Sequence, residues 1–183
     1  RADVTSFKGF HVGENLPRVG TLGLGSYIDE IATDHSQGGF QTTGNPLDLG
    51  ISGDGYFAVD TPQGVRYTRN GSFFRSNTGE LQTVNGQRVL ARGGGAINIP
   101  GNAIMLNVTP EGEISGLVDG DRQVFGRLEL VSFGPDPRAV LKQGESLYIP
   151  QEGAQPQAAT GTIEQGVLEV SNTNVVSEMV ALI

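Results

Sequence analysis

The sequence predicts an all-β protein in the main: a compact antiparallel domain of short strands and hairpins, with extended arms and the start of a C-terminal α-helix. Three observations predict it. Glycine reaches 28 of 183 residues, charged residues make up only 17%, and turn dipeptides recur at short, irregular intervals between apolar runs, the pattern of many strands joined by tight turns. A chain of this length buries roughly 70% of the surface it would expose unfolded, enough for a real core.

The elements follow in chain order. Residues 1–46 read as an extended N-terminal arm; a short helix over Tyr27 to Ala32 is the alternative, disfavoured by the Thr and Gly around it. Residues 47–150 read as the β-rich domain. Within it "YFAVDTPQGVRYTR" is a hairpin, because Pro62 pre-sets the second turn position and Gly64 relaxes the backbone after it. Thr109 to Gly112 repeats that turn, and Asn77 to Gly79, Asn85-Gly86 and Asp119-Gly120 supply further turns. Gln123 to Phe133 reads as one long central strand, with Leu128, Leu130 and Ser132 on one face and Val131 and Phe133 on the other. Residues 151–171 are rich in Pro, Gln, Gly and Ala and read as a linker and returning strand. Residues 172–183 begin an amphipathic helix, capped by Thr173 or Asn174, whose Val175, Val176, Met179, Val180, Leu182 and Ile183 share one side and offer a seam to another helix. Both ends break off within pattern, so the chain reads as the middle of a longer protein.

Composition excludes several functions. A net charge of −8 with scattered Lys and Arg argues against nucleic acid. Zero cysteines remove disulfides, Cys-ligated zinc and a thiol nucleophile. No run approaches the ~18 apolar residues of a membrane span. The glycines at 50, 53 and 55 resemble a phosphate loop, but strand material follows them and no helix fits before Pro62, so they turn the chain instead. Asp34-His35-Ser36 holds the residue types of a hydrolase triad, yet sequence neighbours point apart and cannot form the relay. Asp54, Asp119 and Asp121 lack the further ligands of a calcium loop and read as turn carboxylates. Arg66, Arg69 and Arg75 read either as solvated strand charges or as a surface for an acidic partner. No catalytic, cofactor or metal site is expected.

Three segments together resemble the hook and basal-body rod group of the bacterial flagellar axial proteins. Ser36-Gln37-Gly38, Leu47-Asp48, the Gly53 and Gly55 turn, the Tyr67-Thr68-Arg69-Asn70-Gly71 hairpin and Ser171 to Asn174 match that family's blocks in order. Within it the chain is most similar to the proximal rod members, with a distal rod or hook-type protein as the alternative. The resemblance implies a structural subunit and no enzyme. It would be exported by the flagellar type III apparatus, polymerise helically with itself through terminal helices, and meet neighbouring rod and hook proteins outside the cytoplasmic membrane. A carbohydrate-binding or phage-tail adhesion β module is the rival of another class; the absence of Trp weakens it. Gly53, Gly55 and Gly71 are expected to matter because a side chain would strain their turns.

Overall fold

The computed structural model describes residues 38–136, 139–144 and 146–170, all within one compact unit, Ala32–Ile183. Ser36, Gln37, the 27–32 segment and the seam residues Val175 to Ile183 lie outside the described residues. The described chain is built of strands, every pair antiparallel. In order they are β1 (Phe40–Thr42), β2 (Leu49–Ser52), β3 (Tyr56–Thr61), β4 (Gly64–Thr68), β5 (Phe73–Arg75), β6 (Leu81–Thr83), β7 (Arg88–Val89) and β8 (Ile104–Val108). There follow β9 (Glu113–Val118), β10 (Asp121–Arg127), β11 (Leu130–Ser132), β12 (Val140–Gln143), β13 (Leu147–Pro150), β14 (Gln157–Ala158), β15 (Thr162–Gln165) and β16 (Val167–Glu169).

The main sheet runs β12-β13-β4-β3-β7-β6-β5, and β11 joins it along β3 with β14 on its far side. Strand β3 is central because "YFAV" is apolar on both faces. Phe57 and Val59 enter one core cluster and Tyr56 and Ala58 the other, so period-two alternation here sorts side chains between two cores rather than between core and water. The larger cluster also takes Leu49, Ile51, Phe73, Leu81, Ile97, Ile99, Ile114 and Ile163. It is closed by two smaller sheets, β10-β9-β8 and β15-β2. The second cluster is aromatic: the Phe133 ring stands 4.8 Å from Tyr67 and 6.1 Å from Tyr56.

The turns form where the sequence places them. β3 and β4 join through Pro62-Gln63, with Thr61 paired to Gly64, and the Thr61 hydroxyl donates to the Gly64 carbonyl at 2.6 Å. Gly112 N–H donates to Thr109 O, Gly79 to Ser76 O and Gly86 to Thr83 O. Asp119 and Gly120 both have positive φ, 53° and 94°, the paired left-handed conformation that matches strand twist in a two-residue hairpin.

Two expectations change. The single long strand from Gln123 is two strands. β10, at the edge of the small sheet, carries a register shift between Val124 and Gly126 and ends at Arg127. The Leu128 N–H then turns to the Gly112 carbonyl before β11 joins β3. Side-chain parity survives the break, with Leu128 in the larger cluster and Val131 and Phe133 in the second. Asn70-Gly71 is not a hairpin turn, since β4 pairs with β3 and β13 while β5 pairs with β6. The stretch after Ile149, read as a linker and returning strand, holds β14 paired with β11, β15 with β2 and β16 with β1.

The reason Gly71 must be glycine also changes. It is not among the positive-φ residues. A Cβ there would overlap the Leu49 carbonyl oxygen and lie 3.1 Å from the Phe57 ring. Gly71→Val, and even Gly71→Ala, should therefore lower unfolding free energy by about 3 kcal/mol in urea titration, the upper range for overpacking. Gly86, at φ 77° with nothing within 4 Å, should lose only about 1 kcal/mol on change to Ala, the ordinary left-handed penalty. Equal losses at the two positions would contradict the close-packing explanation.

Candidate functional site: the arm junction

The chain enters and leaves the described region through one two-stranded arm, β1 paired with β16 from Phe40↔Glu169 to Thr42↔Val167. The same two chain segments pair again as β2 and β15, from Leu49↔Gln165 to Ser52↔Thr162. Between the two ladders, residues 43–48 stand opposite Gly166 alone. Gly166 absorbs the mismatch: its φ is 77°, its carbonyl accepts from the N–H groups of Thr43 and Gly44, and its own N–H donates to Asp48 O. Asn45 shapes the longer side, its Oδ1 accepting from Leu47 N–H and its Nδ2 donating to the Asp48 carboxylate at 3.1 Å, the local turn that Asn favours.

The arm lies down on β2 at Gly50. A Cβ there would stand 2.6 Å from the Phe40 ring and 2.9 Å from Val167, so glycine is what allows these side chains to rest on the strand. β2 is in turn pressed on the β4–β5 corner, Leu49 N–H donating to Gly71 O and Phe73 N–H to Leu47 O. The corner is shaped by Thr68 Oγ1, which accepts from Asn70 N–H, and by Asn70 Oδ1, which accepts from Ser72 N–H.

Arg69 closes the junction. Its Nε donates to Glu169 Oε2 at 2.9 Å, and its terminal nitrogens reach the carbonyls of Gly55, Ile51 and Gly53 at 3.3, 3.4 and 3.2 Å. Its guanidinium carbon lies 5.9 Å from the Tyr56 ring centre. Glu169 uses its second oxygen to accept from Gly38 N–H at 2.9 Å. One cation thus joins the end of β4, the β2–β3 turn and the departing strand β16, and its carboxylate partner holds the entering strand as well. The two side chains are 16% and 12% exposed, a setting in which a planar fork with several donors outperforms a point charge.

The motif residues that are scattered in sequence meet here. Gly38, Gly53, Gly55 and Arg69 share the clamp; Leu47, Asp48 and Gly71 form the seat of β2; Thr68 and Asn70 shape the corner; Tyr67 alone points away, into the second core. Gly53 and Gly55 carry positive φ, 93° and 150°. Of the three arginines weighed for an acidic partner, Arg69 has an acidic partner within its own chain. Arg66 donates to Gln143 and Arg75 to the Pro100 carbonyl, both through hydrogen bonds open to solvent. Sequence reasoning missed Glu169 and Asn45. An arginine amid the glycines of a buried corner requires a carboxylate, which is the signal that could have found the first. Asp54 receives the Ser132 hydroxyl and Asp119 the Asn102 amide, and among the described residues no three His, Asp or Glu side chains converge as metal ligands.

Burial raises the phenols of Tyr56 and Tyr148 above the ordinary value; their mutual proximity adds at Tyr56, while Arg69 opposes the rise at both. Burial, then Glu129, raises Tyr67.

Two outcomes follow from this geometry. Arg69→Ala leaves the Glu169 carboxylate without its cation and takes the guanidinium away from three carbonyls, and should cost about 3 kcal/mol, the lower end for breaking a largely buried pair. Arg69→Lys should recover less than half, because one ammonium cannot span the set; urea unfolding measures both. The neutral phenols stabilise the fold fully below about pH 10, and that contribution is lost as pH rises through their raised folded values. Unfolding midpoints should therefore fall through the alkaline range, with tyrosinate absorbance appearing later in the folded chain than in the denatured one.

The comparisons agree with this architecture. Residues 50–116 match the family model described as the flagellar hook protein FlgE/F/G D1 domain. The chain is 38% identical over 172 residues to the flagellar basal-body rod protein FlgG of Bacillus subtilis, covering 88% of this chain and 64% of that protein. It is 35% identical over 150 residues to the rod protein FlgF of Mesorhizobium japonicum, 81% and 60% of the two chains. To FlgF of Caulobacter vibrioides it is 38% identical over 155 residues, 84% and 61%. It thus spans slightly less than two thirds of the length of these relatives. With the D1 match placed on the β2–β9 region and the similarity to rod proteins covering most of the chain, the chain belongs to the flagellar hook and basal-body rod protein family.

Proposed function

We propose that the chain is part of a structural subunit of the bacterial flagellar basal-body rod, one of the helically polymerised proteins of the torque-transmitting axial structure, and not an enzyme. The observation that carries this reading is the arm junction. A domain attached by one short two-stranded arm would swing about it, and here the arm is fastened to the sheet by a nearly buried ion pair and by backbone contact on glycine. That is how a subunit which must pass load from a flanking segment to an outer β domain would be built.

Similarity to named rod proteins supports the reading. In it, residues 1–46 form the entering arm, 47–150 the β domain, 151–171 the return, and 172–183 the opening of a helix whose seam of Val175, Val176, Met179, Val180, Leu182 and Ile183 packs on other subunits. Partners are further copies of the protein, neighbouring rod and hook proteins, and the flagellar type III export machinery. The site of action is the basal body, outside the cytoplasmic membrane. Identity to FlgG and FlgF relatives is comparable, so the similarity supports the rod as a whole; a proximal position within it is the finer proposal.

Sedimentation of this chain beside a longer protein extended by helical segments on both sides is the test. The chain should remain monomeric while the longer protein forms filaments or large oligomers, since a head-to-tail contact that does not close yields a helical polymer. If both stay monomeric at high concentration even with neighbouring rod proteins added, self-assembly through the flanking segments is wrong, and binding to a glycan array would favour the adhesion module.

A further inference from the structure

The three-stranded sheet β10-β9-β8 leaves β8 at its edge, and the ladder between β8 and β9 is interrupted between Ile104 and Asn107. An edge strand exposes alternate N–H and C=O groups that a neighbour must satisfy. On β8 that neighbour is a side chain. Gln165 accepts from Val108 N–H at 3.2 Å and donates to Leu106 O at 3.0 Å. Those two groups flank Asn107 and point to the same side, the pair that one residue of a parallel strand would engage. The carboxamide thus stands in for a peptide unit. Its remaining N–H donates to Pro46 O at 2.9 Å, inside the 43–48 segment where the two arm ladders meet. The backbone of Gln165 is meanwhile held in β15 opposite Leu49.

We propose that Gln165 is the positioning residue that fixes the orientation of the three-stranded sheet relative to the arm. It fills both N–H donors and its acceptor across three segments, β8, the 43–48 turn and, through its own strand, β2. The apolar contact of Val108 and Ile114 with the larger core holds the sheet in place, but such contact is non-directional. The amide adds direction. That sheet exposes Ile104, Met105 and Val124 at 60%, 76% and 58%, so the residue sets where those side chains stand with respect to the arm. What this means for rod assembly rests on the function proposed above; the orientation itself does not.

The cysteine-free sequence makes the test direct. Spin labels on Gln41→Cys and Val124→Cys, both exposed, report the distance between arm and sheet by pulsed electron resonance. Gln165→Met keeps the length and removes all three hydrogen bonds. It should broaden the distance distribution about twofold and speed exchange of the Val108 amide about tenfold, the equivalent of one lost hydrogen bond. The Leu90 amide, bonded to Ala58 O in the main sheet, should be unchanged. Gln165→Glu, a carboxylate facing two carbonyls, should broaden the distribution further. An unchanged distribution, or equal acceleration at Val108 and Leu90, would overturn the proposal, the latter by reducing Gln165 to a general stabiliser. None of these readouts requires assembly, so their failure is separate from a failure of the sedimentation test.

Discussion

The rest of the structure depends on one steric constraint: the backbone of Gly71 lies directly against the backbone of Leu49. No side chain can come between them, and the Leu49 N–H is bonded to the Gly71 carbonyl. Because β2 is seated there, Leu49 and Ile51 reach the larger core fully buried. β15 then pairs along β2 and delivers Ile163 to the same core. The arm continues from these two strands, so its direction is inherited from a contact between two main chains. Backbone contacts are less adjustable than side-chain packing, which is the property a stiff attachment needs.

The Arg69 clamp adds polar direction to that seat. Two of its acceptors are the carbonyls of Gly53 and Gly55 in the β2–β3 turn, both at positive φ, and a third is the Ile51 carbonyl of β2. Glycine thus acts twice in this corner, once by bending the chain and once by leaving room. The electrostatic part is modest on its own, since a pair of this kind spends most of its attraction on desolvation. Its value lies in geometry: one planar group satisfies acceptors from two segments and a carboxylate from a third.

Much of the fold is legible in the sequence because turns are local. Pro62, the Asp119-Gly120 pair and Gly112 announce their hairpins within four residues, and "YFAV" announces a strand buried on two sides. What is not legible has long reach. Glu169 lies 100 residues from Arg69, and Gln165 lies 119 from Pro46; no periodicity links such positions. The bounds and number of the returning strands after Ile149 were hidden for a related reason. Gln157, Ala158, Thr162 and Glu164 are exposed, so their strand character comes from backbone pairing with β11 and β2 rather than from an apolar pattern. The break after Arg127 escaped because side-chain parity continues across it. The motif that carries the family resemblance is legible as a string, but its meaning, a corner assembled from four separate segments, is three-dimensional.

The arm has a consequence for how such chains diversify. Entry at Gly39 and exit at Val170 are bonded to each other, Val170 N–H to Gly39 O at 2.9 Å, so everything between them is inserted through a gap one hydrogen bond wide. Seen from the flanking segments, the β domain is a cassette: its removal, enlargement or exchange for another would leave the distance between the two flanks nearly the same. Outer dimensions and surface chemistry can therefore vary from one protein to the next while the geometry on the inner side of the arm is preserved.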